Sequence, residues 1–110
     1  MRGGWIGVDL DGTLAEYQGY YAGAIGAPIR PMLVRVQEWL AAGREVRLFT
    51  ARAGDPAQLP AIRQWLTQHG LGGMAITNVK DMQMAVLYDD KAVRVKRNSG
   101  YVCPGCYKQK

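Results

Sequence analysis

Cysteine and histidine are scarce in this chain, and no long hydrophobic run interrupts it. Among 110 residues there are two cysteines and one histidine. No apolar run approaches the roughly 18 to 20 residues of a membrane-spanning helix, and the N-terminal apolar stretch is too short for a signal peptide. We therefore expect a cytoplasmic protein with no membrane segment. In that reducing compartment the cysteines are not expected to form a structural disulfide.

Acidic residues are absent beyond Asp90. The formal charge of +5 is therefore the sum of two unequal parts. Residues 91–110 carry six bases and no acid, while residues 1–90 carry eight bases and nine acids, a net charge of −1. A basic tail can contact nucleic acid, anionic lipid or an acidic partner, or it can keep the protein soluble.

The length and the 48% apolar content allow one globular domain. The apolar periodicity predicts helices over residues 31–42 and from the Asp55–Pro60 region to about His69. It also predicts strands at 5–10, 45–50, 74–77, 86–88 and, as a last strand, 92–96. Alternating strands and helices indicate an α/β fold with a mainly parallel sheet of about five strands. We expect a core over residues 1–97 and a basic tail with a C-P-G-C sequence over 98–110.

Polar side chains follow the predicted strands where each strand ends. Asp9 and Asp11 stand at the end of the first strand, Thr50 at the end of the second, and Asp89 with Asp90 directly after the fourth. The carboxyl ends of parallel strands share one edge of a sheet, so these groups are expected to converge there. Clustered carboxylates repel one another and normally need a cation, and their oxygens suit Mg²⁺. With the Thr50 hydroxyl and the Lys80 ammonium, such a site suits phosphoryl chemistry.

These residues stand in four segments, V-D-L-D-G-T-L at 8–14, L-F-T-A-R at 48–52, Lys80, and Y-D-D-K-A at 88–92. In this order they resemble the four motifs of the haloacid dehalogenase-like (HAD) superfamily of phosphohydrolases. The resemblance spans residues 5–95 and implies a three-layer, Rossmann-like fold. Taken singly, each segment also has an ordinary structural interpretation, such as a turn at Asp11-Gly12 or a solvated lysine at 80.

The resemblance implies that Asp9 is the nucleophile and forms an aspartyl-phosphate. Asp11 would protonate the leaving oxygen and then deprotonate the hydrolytic water. Mg²⁺ would be held by Asp9, the backbone carbonyl of Asp11 and the Asp89-Asp90 pair, with Asp89 as the direct ligand.

The same resemblance implies that Thr50 binds a phosphate oxygen and that Lys80 pairs with Asp9 and the phosphoryl group. Arg52 follows Thr50 closely, and it reaches a second phosphate or a substrate carboxylate, or is a surface arginine. The loop tyrosines Tyr17, Tyr20 and Tyr21 either stack on a base or sugar of the substrate or pack the loop onto the body.

Members of this superfamily usually close the site with an inserted cap domain. The first insertion point has only residues 15–30 here, and Thr77 to Lys80 leaves no room at the second, so the resemblance implies a capless member. An open site admits a bulky phosphorylated substrate, such as a protein side chain or a nucleic-acid end.

Two further alternatives stay open. The chain is either a phosphatase or a nucleic-acid-binding module on an inactive scaffold, and the two combine as a polynucleotide-end phosphatase. Cys103 and Cys106 have the spacing of half a zinc knuckle, which a second copy of the chain would have to complete in a homo-oligomer; otherwise they are redox-active or inert.

Overall fold

The computed structural model of the chain describes residues 3–19 and 23–108, with side chains described through residue 106. Its four strands are β1 (Trp5–Val8), β2 (Val46–Phe49), β3 (Ala75–Thr77) and β4 (Met84–Tyr88), and its helices are α1 (Arg30–Ala41), α2 (Leu59–Gln68) and the short α3 (Pro104–Lys108). The strands form one parallel sheet in the order β3-β2-β1-β4. The predicted α/β class with a parallel sheet is therefore confirmed, with a Rossmann-like shape.

The predicted fifth strand, residues 92–96, does not join the sheet, so the sheet has four described strands instead of about five. Val95 instead pairs antiparallel with Val102, in a small hairpin. Alternation of polar and apolar residues does not distinguish a sheet strand from one arm of a local hairpin, and this explains the error. The hairpin also spans the predicted boundary between residues 97 and 98.

Both longer helices pack on the same face of the sheet. Leu33 and Val36 of α1 and Ile62 and Leu66 of α2 are buried in one cluster with β1 and β2 side chains. Strands β1, β2 and β3 follow one another across the sheet, and right-handed crossovers place their connecting helices together. Residues 78–83, which connect β3 to β4, form only a turn in place of a helix. The described elements therefore make two layers and not the expected three.

Trp5 covers part of the opposite face. Its side chain is fully buried, its indole Nε1 donates a hydrogen bond to Asp81 (2.8 Å), and the Arg47 guanidinium lies 4.5 Å from the ring centre. Gly7 permits this packing, because a Cβ there would lie 3.2 Å from the Trp5 ring and 3.1 Å from Leu87. The cation–π contact and the hydrogen bond fix the connection that leads into β4.

The helix ends follow local sequence chemistry. Pro31 stands in the first turn of α1, and Gly43 follows its end with a φ of +83°. Asp55 caps a 3₁₀ turn at Pro56–Gln58, and α2 begins only at Leu59. Pro60 therefore lies in the first turn of α2, where its missing N–H costs no helical hydrogen bond. Within the described residues, no helix has the length and apolar content needed to cross a membrane.

Candidate functional site

Three aspartates meet where the strand order reverses. The chain runs from β1 to β2 on one side and returns to β4 on the other, and ligands of open parallel sheets bind beyond the strand ends at such a switch point. Asp9 extends β1, its N–H donating to the Tyr88 carbonyl (2.9 Å), and Asp89 and Asp90 follow β4. One carboxylate oxygen from each aspartate lies within 4.8 Å of the others. The predicted convergence of these three residues is therefore observed.

The surroundings of Asp9 oppose its negative charge. Burial, together with a hydrogen bond to Asp90 and the charge of Asp89, raises the pKa of Asp9 from 3.8 to about 8. A divalent cation among the three carboxylates would offset this repulsion, and hard carboxylate oxygens are the donors that Mg²⁺ prefers. The residues present therefore fit a magnesium ion, held by Asp9, Asp89 and Asp90.

Thr13 and Gly12 position Asp90, a role that the sequence analysis did not assign to them. The Thr13 hydroxyl donates to Asp90 Oδ1 and accepts from the Asp90 N–H, both at 3.0 Å. Gly12 has a φ of +92°, and a Cβ there would lie 2.5 Å from Asp90 Oδ2. The signal was present in the sequence, because Gly12 and Thr13 complete the D-G-T part of the motif.

Asp11 lies beside a cation and not beside carboxylates. Arg52 Nε donates to its Oδ2 and an Arg52 terminal nitrogen donates to its Oδ1, both at 2.8 Å. This two-bond ion pair is mostly buried, and its hydrogen bonds raise the pKa of Arg52 further. Such a planar pair fixes the orientation of the Asp11 carboxylate.

Arg52 has no N–H left for a substrate. Besides its bonds to Asp11, it donates to the carbonyls of Gly23 (2.8 Å) and Ala24 (3.2 Å) and to Gln58 Oε1 (3.1 Å). A guanidinium has five N–H donors, and these five bonds use all of them. The expected contact of Arg52 with a second phosphate or a substrate carboxylate is therefore not available in this conformation. Arg52 instead ties the loop at 23–24 to the end of β2.

A cleft of about 740 Å³ opens at this edge of the sheet and brings most of the predicted site together. Asp9, Asp11, Thr50, Arg52 and Asp89 line it. Thr50 is buried, with 2% of its surface exposed, and its Oγ1 accepts the Arg52 N–H (3.1 Å), which caps the 3₁₀ turn that follows β2. Its hydroxyl proton is left to donate into the cleft.

The lysine in the cleft is Lys91 and not Lys80. Lys80 is exposed after β3, does not line the cleft, and forms no ion pair with Asp9 within the described chain. Lys91 lines the cleft, and its backbone N–H donates a hydrogen bond to Asp89 Oδ1 (2.7 Å). No hydrogen bond or ion pair among the described residues engages its ammonium. The sequence analysis placed Lys91 in the Y-D-D-K-A segment and among the bases of residues 91–110, but gave it no role in the site.

Of the three loop tyrosines, the structure describes only Tyr17. Tyr17 lines the cleft and is 60% exposed, so most of its surface is not packed onto the body. Tyr20 and Tyr21 lie outside the described residues. Asn78 and Gln58 also line the cleft and were not predicted.

Comparison with known proteins gives the fold alone. No protein-family model matches the sequence, and no curated protein matches it. A solved structure of a conserved protein from Bacteroides thetaiotaomicron superposes with a TM-score of 0.65 and 19% sequence identity, covering 98% of this chain and 87% of that one. This likeness supports an α/β, Rossmann-like fold over the whole chain.

Proposed function

We propose that the chain is a Mg²⁺-dependent phosphomonoester hydrolase of the HAD type that acts through an aspartyl-phosphate on Asp9. The observation that carries this proposal is the cleft at the switch point of the sheet. There one half-buried aspartate adjoins two more carboxylates on one side and a second, arginine-paired aspartate on the other. The four segments that resemble the HAD motifs support the same chemistry.

In the first step, an Asp9 oxygen attacks phosphorus while the bond from phosphorus to the ester oxygen breaks. Asp9 must be ionised to attack, and its raised pKa means that this requires a nearby cation at neutral pH. Mg²⁺, when bound by Asp9, Asp89 and Asp90, supplies positive charge that offsets the repulsion between phosphate and carboxylates. Thr13 serves this step indirectly, because it holds the Asp90 carboxylate in place.

Asp11 is arranged to take a proton from water in the second step. Water attacks phosphorus, its proton passes to an Asp11 oxygen, and the bond from Asp9 to phosphorus breaks to release phosphate. Both Asp11 oxygens accept hydrogen bonds from Arg52 in this conformation. To protonate the leaving oxygen in the first step, Asp11 must enter that step holding a proton, and one of these bonds must open; the proton that Asp11 takes from water in the second step restores this form. Arg52 is therefore a positioning residue for Asp11.

Thr50 and Lys91 are the groups available to bind the phosphoryl oxygens. The buried Thr50 hydroxyl can donate one hydrogen bond, and the Lys91 ammonium provides a positive charge that no described residue neutralises. Preorganised donors of this kind stabilise the charge that develops on the transferred phosphoryl group. We assign to Lys91 the role that the motif resemblance gave to Lys80.

The open side of the cleft favours a large substrate. The segment after β1 is closed at its base by hydrogen bonds from the Glu16 N–H to the Ala27 carbonyl and from the Ile29 N–H to the Leu14 carbonyl, which supports a loop in place of an inserted cap domain. Lys91 also begins the basic segment of residues 91–110, so positive charge continues along the chain from a residue that lines the cleft. This favours a polyanion, such as a phosphorylated oligonucleotide end, as the second candidate substrate class. Hydrolysis of a phosphorylated oligonucleotide well above that of the free nucleotide would support it.

The proposed activity is tested with an aryl phosphate, with and without Mg²⁺. We expect turnover only with the metal, and loss of at least about 10³-fold in Asp9→Asn, because the amide is not a nucleophile. Glu38→Gln, at an exposed position on α1, is the matched control and should keep wild-type activity. Activity that survives Asp9→Asn would contradict the assigned nucleophile, and the absence of hydrolysis across aryl, peptide and oligonucleotide phosphates would contradict the proposed function.

A further inference from the structure

The two cysteines lie at the end of a well-defined hairpin. Lys96 N–H donates to the Tyr101 carbonyl and Cys103 N–H donates to the Arg94 carbonyl, both at 2.9 Å, on either side of the Val95–Val102 pair. Asn98 and Gly100 have φ values of +61° and +73°, which the tight turn requires. Cys103 is thus held in register on the second arm of the hairpin, and the chain turns into α3 at the next residue.

The C-P-G-C segment turns back on its own first sulfur. The Cys106 N–H donates to Cys103 Sγ (3.3 Å), and the Cys106 thiol is within hydrogen-bonding reach of the same sulfur. Both cysteines are free and half-buried. Two sulfurs on one side of a tight turn, with a backbone N–H directed at one of them, form a chelating pair for a soft or borderline metal ion.

We propose that Cys103 and Cys106 form half of a structural zinc site, and that a second copy of this chain provides the other half. One zinc ion would then hold two chains through four sulfur ligands. A structural zinc site takes four protein ligands in a tetrahedron, and one chain has only these two cysteines. The single histidine, His69, follows the end of α2 and packs against Trp65, with a centroid distance of 4.5 Å and an angle of 55° between the rings.

The charge around the hairpin favours the metal-bound state of the pair. Zinc with four thiolates carries a charge of −2, and the six bases of residues 91–110 on each chain offset it. Without the ion, two basic tails repel each other. Association of the two chains should therefore depend on zinc.

The test uses the full chain, kept reduced and freed of metal, and titrated with Zn²⁺ and separately with Co²⁺. We expect half an equivalent of metal per chain, a doubling of the mass measured by light scattering, and a cobalt spectrum of tetrahedral thiolate coordination. A chelator should return the protein to monomers. Cys103→Ser and Cys106→Ser should each abolish the doubling, whereas Asp89→Asn, which alters the carboxylate cluster, should keep it.

Four results would overturn the proposal, and the first three concern zinc. These are one equivalent of zinc on a monomer, zinc-dependent dimers that persist in the double cysteine variant, and no zinc binding by the reduced protein. A disulfide between Cys103 and Cys106 that withstands a thiol reductant would also overturn it, because the sulfurs would then be unavailable to the metal. None of these results bears on the phosphatase proposal, which concerns Asp9 and the cleft at the end of the sheet.

Discussion

The two aspartates of the D-x-D segment lie two residues apart and have opposite surroundings. Asp9 is half-buried beside Asp89 and Asp90, and burial and these neighbours disfavour its charge. Asp11 is held by the Arg52 guanidinium through two hydrogen bonds of 2.8 Å. The cleft therefore holds one aspartate whose negative charge is disfavoured by its surroundings and a second whose charge is offset by an arginine. In the proposed mechanism this difference separates a metal-dependent nucleophile from an oriented acid–base group.

Among the positively charged residues of the cleft, Arg52 should have the largest effect when it is replaced. We expect Arg52→Met to lower kcat on the order of 10²-fold with a much smaller change in KM, because Asp11 loses its orientation while the phosphoryl-binding groups remain. Arg52→Lys should resemble it, since an ammonium cannot form the planar two-bond pair. Steady-state kinetics measure this, with Arg35→Met on the exposed side of α1 as the control. A rise in KM alone would mean that Arg52 binds substrate instead.

The lysine assignment can be tested by a matched pair of variants. Lys91→Met should reduce kcat/KM by roughly 10-fold to 100-fold, because the cleft loses the charge available to the phosphoryl group. Lys91→Arg should retain much of the activity, and Lys80→Met should change it little. If Lys80→Met is inactive and Lys91→Met keeps its activity, the lysine that acts on the phosphoryl group is Lys80, as the motif resemblance implies, and not Lys91.

The acidic half of the cleft should make stability depend on pH and on Mg²⁺. The folded chain holds the Asp9 proton up to a pKa of about 8, while the unfolded chain releases it near 3.8. Without Mg²⁺, this group's contribution to stability should therefore be greatest below about pH 4 and fall as pH rises toward 8. Mg²⁺ should raise the melting temperature more at pH 8.5 than at pH 5, because it replaces that proton.

Asp9→Asn isolates this contribution in the same melting experiments. The variant should show less change with pH in the absence of Mg²⁺ and a smaller stabilisation by Mg²⁺ at pH 8.5. Equal pH profiles for the two proteins would mean that Asp9 titrates in the folded chain as it does in the unfolded one.

The site residues that could be predicted from the sequence are those that also end a strand. The strand endings at Asp9, Thr50 and Asp89 could be predicted, because apolar runs end at polar residues and parallel strands share an edge. The helical faces of α1 and α2 followed from their apolar periodicity, although Trp65 on the buried face of α2 was not predicted.

Features that depend on side-chain partners far along the chain could not be predicted in this way. The Arg52–Asp11 pair joins residues 41 positions apart, and the Thr13–Asp90 pair joins residues 77 apart. The same holds for Lys91, whose place in the cleft depends on how the chain leaves β4. The predicted number of layers was wrong for a related reason. The resemblance implied helices on both faces of the sheet, but on the second face the described chain has a turn at residues 78–83 and the Trp5 side chain.

The central claim is that Asp9 carries the phosphoryl group during turnover, and the direct measurement is the identity of the phosphorylated residue. The protein would be mixed with substrate and Mg²⁺, quenched in acid within the first turnover, and its acyl-phosphate reduced with borohydride before peptide mass spectrometry. If Asp9 forms the aspartyl-phosphate, we expect a Mg²⁺-dependent modification at Asp9 that is absent from Asp9→Asn. Modification of a different residue, or turnover with no modified residue at any quench time, would contradict it.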